Sequence, residues 1–434
     1  MKWRALLATC CAVTNAPAAA QTVPMQALAE TIRTAPAPVT SVPQPLDSVV
    51  QTPLLAHWAP RRWLAERGIA LTGHFIAESA VNDRGYRSDG WDYIQHLDFG
   101  AQINLSKLGV GDGTVRILFS DRLGHPLQAE RTGAYIQNQA YYGQGNNFRI
   151  DELSYERLLL DRRLSLKGGF YSMGNDFAGL PYVCNFNNNG HCGHPLGLLY
   201  GSGWVDSPTG QWGARAKWSD RAGWYVAAGV YDVTPLRKTQ EHGLDLGFPR
   251  TTGVIVPIEV GLVRGKTPAD YPGTYKLGIY HDTSKVAALG EAGRQVRGRN
   301  GMYVEAAQQI WKPRRGRVQG LSLFGVVTVN DRQTGLFRTT YEAGASWRGL
   351  LPGRGDDIAS LGWVRLDVNS RVRDQQRALG QAEQTNEQMI ELNYGIQLDH
   401  SFLLRPGLQY VIHPGAYASR PDSLVFTVHF QATL

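Results

Sequence analysis

The chain has 434 residues, 10% of them aromatic, with 49 glycines, a mean hydropathy of −0.28 and a formal charge of +7. Beyond the amino terminus no run of about 18 apolar residues occurs, which excludes a helical membrane protein but not a β-barrel, whose strands hide their hydrophobicity in alternation. The length fits a barrel of about 16 strands as well as two or three ordinary domains, and the mild positive excess reads as a solvated surface, with no nucleic-acid partner implied.

Residues 1–20 read as a secretory signal: Lys2 and Arg4, then an apolar stretch from Ala5 to Val13, then small residues at Ala18 and Ala20 ahead of a cleavage point before Gln21. Cys10 lies too near the start for a lipoprotein signal. Residues 21–52, rich in Ala, Pro, Val and Thr, form a flexible periplasmic lead-in. Residues 53–68, "PLLAHWAPRRWLAERG", hold a short helix with Arg61, Arg62 and Arg67 on its polar side. From Ile69 to the end the pattern is strand after strand. The segments are 69–79, 91–105, 112–120, 146–159, 162–172, 211–219, 222–232, 252–264, 272–282, 299–312, 318–330, 335–348, 356–371, 385–399, 402–412 and 422–434, sixteen in all.

Connections after even-numbered strands are short ("SKLGVGDG", "DR", "KPRRGR", "GLLPGRGDD"). Most of those after odd-numbered strands are long: 80–90, 121–145, 173–210, 233–251, 283–298 and 372–384. That asymmetry belongs to an outer-membrane barrel with periplasmic turns and external loops; loop 331–334 departs from it. The last strand alternates Leu424, Phe426, Val428, Phe430, Ala432 and Leu434 with mostly polar residues up to the terminus. A strand of that kind seals a barrel with its greasy face on lipid. The fold class expected is therefore all-β: a 16-stranded antiparallel transmembrane barrel over 69–434 with a short periplasmic helix before it.

The alternation also sorts faces. Leu97, Phe99, Ala101 and Ile103 oppose Asp98, Gly100, Gln102 and Asn104. Tyr341, Ala343, Ala345 and Trp347 oppose Glu342, Ser346 and Arg348. Val364, Leu366 and Val368 oppose Trp363, Arg365 and Asp367; Ile390, Leu392 and Tyr394 oppose Glu391, Asn393 and Gln397. With the charged sets turned inward, the barrel has a wet lumen.

Four stretches resemble the carbohydrate-selective porin (OprB) family: "WLAERGIAL", "YPGTYKLGIYHDT" at 271–283, "YEAGASWRGLLPGRGDDIASLGW" at 341–363 and "ELNYGIQLDHSFLLRPGLQYVIHPGA" at 391–416. They run in family order across about residues 53–434. The resemblance implies a monomeric or trimeric 16-strand outer-membrane channel that favours sugars. The chain departs from it at "LLAHWAPRRW", where members more often carry a Gly-rich "DWGG" version, and in the loop holding Cys184 and Cys192.

A sugar-selective lumen answers hydroxyls with charged groups and C–H faces with aromatic rings. The inward set supplies Lys167, Arg215, Lys217, Arg348 and Arg365 against Asp98, Glu152, Glu156, Glu342, Asp367 and Glu391, a balance that suits small neutral sugars. Tyr171 and Trp363 are candidate stacking platforms. Each of these residues either braces the wall or touches solute. Cys184 and Cys192 are expected to pair in an oxidising compartment; His191 and His194 beside them match no trusted zinc spacing, so neither metal nor cofactor is expected. Loop 173–210 either narrows the mouth or lies on the surface. The rival readings are a general-diffusion porin, a barrel enzyme, for which no G-x-S-x-G elbow occurs, a polysaccharide exporter and a soluble lectin. Expected partners are sugars, outer-membrane lipid, the barrel insertion machinery and further copies of the chain.

Overall fold

The computed structural model describes residues 52–434 except 143, 144, 266, 268, 315 and 316. The expected signal (1–20) and all but the last residue of the lead-in (21–52) lie outside the described residues. Helix α1, Ala59–Glu66, leads into sixteen strands. They are β1 Ile69–Asn82, β2 Gly90–Asn104, β3 Thr114–Gly124, β4 Asn147–Leu159, β5 Leu164–Tyr171, β6 Gln211–Ser219, β7 Trp224–Val233 and β8 Gly253–Arg264. There follow β9 Gly273–Ala287, β10 Gln295–Trp311, β11 Gly320–Asn330, β12 Phe337–Arg348, β13 Ile358–Val368, β14 Asn386–Gln397, β15 Phe402–Ile412 and β16 Ser423–Thr433. Every neighbouring pair is antiparallel, and β1 pairs with β16, so the sheet closes with no free edge.

The closing seam explains the apolar end of the chain. Phe75 lies opposite Ala432 and Ala77 opposite Phe430, while Leu424 and Phe426 remain exposed on the outer face. Arg61 of α1 donates to the Leu434 carbonyl at 2.9 Å and to the Leu71 carbonyl at 2.6 Å, tying the helix to both seam strands.

Differences from the sequence reading are local. Strands β9 and β10 run on as a ladder to Ala287 and from Gln295, into the expected loop 283–298. Strand β13 stops at Val368, and a helix follows at Ser370–Ala378, capped by the Asn369 side chain on the Arg371 amide.

Candidate functional site

Two long connections leave the wall and fold into the barrel. The first, 172–210, joins β5 to β6. Its Asn-rich centre has no ladder of its own, so Asn side chains, each both donor and acceptor, supply the bonds. The Asn187 amide donates to Glu391 Oε1 and Asn188 Nδ2 to Glu391 Oε2, both at 2.7 Å. Asn185 Nδ2 reaches Ser346 Oγ at 3.2 Å, and Asn187 Nδ2 reaches Thr427 Oγ1 at 3.0 Å. Further along, the Gly203 amide donates to Asp282 at 2.7 Å and Asn330 to the Gly197 carbonyl at 2.8 Å. At Gly197 a Cβ would fall 2.0 Å from Thr328 Oγ1, so the loop can lie this close to β11 only with glycine there. A Cys184–Cys192 disulfide closes its centre.

The second connection joins β3 to β4, and it is residues 125–142 of it that turn inward. The Tyr135 and Ile136 amides donate to Glu387 at 2.9 and 2.7 Å, and the Tyr141 amide donates to Glu78 at 3.0 Å. The two loops also grip each other: the Asn189 amide donates to the Gln137 carbonyl at 3.1 Å, and the Ala140 amide to the Asn187 carbonyl at 2.8 Å.

These loops change what the inner face must be. Beneath them lie apolar clusters, one joining Ile136 and Leu196 of the loops to Val364, Leu366, Val368 and Met389. Strand β13 therefore turns its valines and leucine inward. Trp363, Arg365 and Asp367 face outward, in place of the expected lumen lining: the Trp363 indole donates to Gln388 at 3.0 Å, and Arg365 pairs with Asp367 at 2.8 Å on the outer wall. The physical reason is that an inner face covered by a greasy loop surface wants apolar side chains. Alternation separates two faces without saying which is inside.

The other expected residues do face the lumen. Lys167 Nζ sits 3.0 Å from Glu152 Oε1 and 3.9 Å over the Tyr171 ring. Tyr171 is fully buried, its hydroxyl 3.2 Å from that of Tyr231. Arg215 bridges Asp176 of the loop at 3.0 Å and Glu156 of β4 at 3.3 Å. Lys217 lies 4.0 Å over the Tyr225 ring. Glu342 is buried on β12, and Arg348 meets Asp356 of the turn after β12 at 2.6 Å. Glu391 also accepts from Asn393 at 2.6 Å and Gln409 at 2.8 Å, so its carboxylate is the main peg of the first loop. Lys167, Arg215 and Glu391 thus brace loop and wall.

Some inward charged groups on β1–β4 keep solvent access, while Glu78, Arg122 and Glu152 on the same strands are buried. The side chains of His74, Arg116, Asp98 and Glu156 are 39%, 25%, 15% and 15% exposed. Asp98 receives His74 Nδ1 at 3.0 Å and His96 Nε2 at 3.3 Å. Arg122 Nε donates to His96 Nδ1 at 3.0 Å, which fixes His96 as the neutral Nε2–H tautomer. Sequence reasoning picked out Asp98 but missed His74, His96, Arg116 and Arg122. Their common parity with Asp98 was a signal, but the β1–β2 register that sets His74 opposite Asp98 is a property of the closed sheet.

Two loop histidines differ sharply. His191 is pressed between Phe186 and Phe324, ring centres 4.3 and 5.5 Å away, and burial pushes its pKa down to about 3. His194 is also buried, which alone would lower it, but Asp206 at 2.8 Å outweighs that and raises it. Among the described residues no group of three or more His, Cys, Asp or Glu side chains forms a metal site.

Comparison with known proteins gives one consistent result. A profile of the family described as "Carbohydrate-selective porin, OprB family" matches residues 88–434. Porin B of Pseudomonas aeruginosa is 28% identical over 417 residues, covering 87% of this chain and 90% of its own. The high-pH structure of Pseudomonas putida OprB superposes with a TM-score of 0.83 at 26% identity, covering 89% of this chain and 99% of its own. The low-pH structure of the same protein, at 22% identity and a TM-score of 0.58 with 88% and 98% covered, shares the fold.

Proposed function

The chain belongs to the carbohydrate-selective porin, OprB family, and on that premise we propose that it sits in the bacterial outer membrane and lets small neutral sugars diffuse passively past its two inward loops. The observation that carries the reading is the pinning of residues 172–210 across the lumen by Glu391, Thr427, Asp282 and Asn330. A loop held this way narrows the lumen, and the inner wall around it carries charges of both signs, which suits neutral solutes better than ions. His74 stands beside Asp98, and Arg116 lies 3.9 Å from Glu152, so these inward groups offer a sugar's hydroxyls both donors and acceptors. Weak contacts of this kind, spread over several residues, let a solute leave as readily as it enters. The partners on this reading are sugars, membrane lipid, the insertion machinery and further copies of the chain.

Swelling of protein-loaded liposomes tests it. Neutral hexoses should enter faster than amino acids of similar size. Equal rates for both would reduce the channel to general diffusion.

A further inference from the structure

The periplasmic rim beside the seam carries a surface that pore function leaves unused. Leu54, Leu55, Trp58 and Trp63, before and within α1, are 44%, 52%, 52% and 53% exposed. None of the eight residues of α1 is buried. Arg61, whose guanidinium reaches the seam carbonyls, marks the barrel side of the helix. At 100° per residue Trp63 and Arg67 project from the other side, the Arg67 guanidinium stacked 4.0 Å over the Trp63 ring. The turn after β2 adjoins this sector: a Cβ at Gly68 would lie 2.7 Å from Lys107 Cβ, and Val110 in that turn is 70% exposed.

Exposed tryptophan and leucine at the rim of a barrel are costly in water and favoured at a membrane–water boundary, where an amphipathic ring sits at headgroup depth. The charge agrees. Arg62, Arg67 and Lys107 are all exposed here. Of the nearby acids, Glu66 stands alone in α1, and Asp112 is engaged by Arg157 at 2.9 Å. The sector is also continuous with the lipid-facing wall, because the seam strands to which Arg61 ties α1 turn apolar residues such as Phe430 and Phe75 outward.

We propose that α1 and the turn after β2 form a lipid anchor, seated among the phosphate-bearing headgroups of the periplasmic leaflet, with tryptophan and leucine at the boundary and the three cations on phosphate. The proposal rests on the membrane reading above. Its role is to fix the seam, where the last strand meets the first, at a set depth in the bilayer.

The test is a nitroxide at Trp63→Cys, and separately at Val110→Cys, in the protein reconstituted into phosphatidylethanolamine/phosphatidylglycerol vesicles. Both positions are exposed, so the fold tolerates the label. Relative to a label at Arg314→Cys in another periplasmic turn, both should lose broadening by a water-soluble nickel chelate and gain it from oxygen. Chelate access equal to that at Arg314 would overturn the anchor. So would spin–spin coupling that grows with protein-to-lipid ratio, which would make a second copy the occupant. A control label at Leu392→Cys, 56% exposed on the outer wall, separates the two readings. Oxygen access there with chelate access at Trp63 sinks the anchor alone; chelate access at both sinks the membrane reading.

Discussion

Glu391 is the residue on which the inward loop depends most. Its carboxylate accepts from two loop groups and two wall side chains. Hydrogen bonds to a charged group contribute about 1.5–3 kcal/mol each, so Glu391→Ala should free the centre of residues 172–210 while the barrel persists. The expected result is a rise in single-channel conductance with weaker sugar block, and unchanged conductance would remove Glu391 as the peg. Arg365→Ala is the contrasting case. Alternation placed Arg365 in the lumen; its pairing with Asp367 on the outer wall predicts that the substitution leaves conductance and sugar block as they are in planar-bilayer recordings. The two strands show what was legible at this scale. Periodicity separated the faces of both correctly. For β14 the charged face is the inner one, but for β13 it is the outer one, because Ile136 and Leu196 arrive from loops remote in sequence to cover Val364 and Leu366.

At the scale of elements, loop 172–210 carries its own charge pair. His194 has a raised pKa beside Asp206, whose pKa is lowered by its partner against the opposing effect of burial. A raised histidine contributes stability that is complete below its ordinary value and lost as pH rises through its folded value. A depressed aspartate contributes above its ordinary value and loses that on acidification. The pair therefore holds the loop best between those limits. Open-channel noise should increase on alkaline titration through the raised His194 value, and His194→Gln should flatten that rise; a rise that persists in the variant would clear His194 of the effect. His191, neutral down to about pH 3, has no part in it. The disulfide acts on the same element. The protein should show no free thiol at Cys184 or Cys192 by mass spectrometry without reductant, and free thiols at both would refute the bridge. The strands themselves were readable because each is a two-period pattern over about ten residues. The infolding of 125–142 was not, because its anchors, Glu387 and Glu78, belong to distant strands and only the closed barrel brings them within reach.

At the scale of the whole molecule, a closed 16-strand wall surrounds two loops that hold each other inside it. The even strand count, the short turns on one side and the apolar last strand all point to the wall. The filling of part of its lumen by apolar clusters beneath the loops is a tertiary fact that composition does not carry. A channel narrowed in this way should bind its solute in passing. The measurement that tests this most directly is single-channel conductance in a planar bilayer titrated with glucose and other neutral sugars. Saturable block is expected, deepest for sugars of the favoured size. Open channels whose current ignores sugar, from protein shown to be folded, would contradict it.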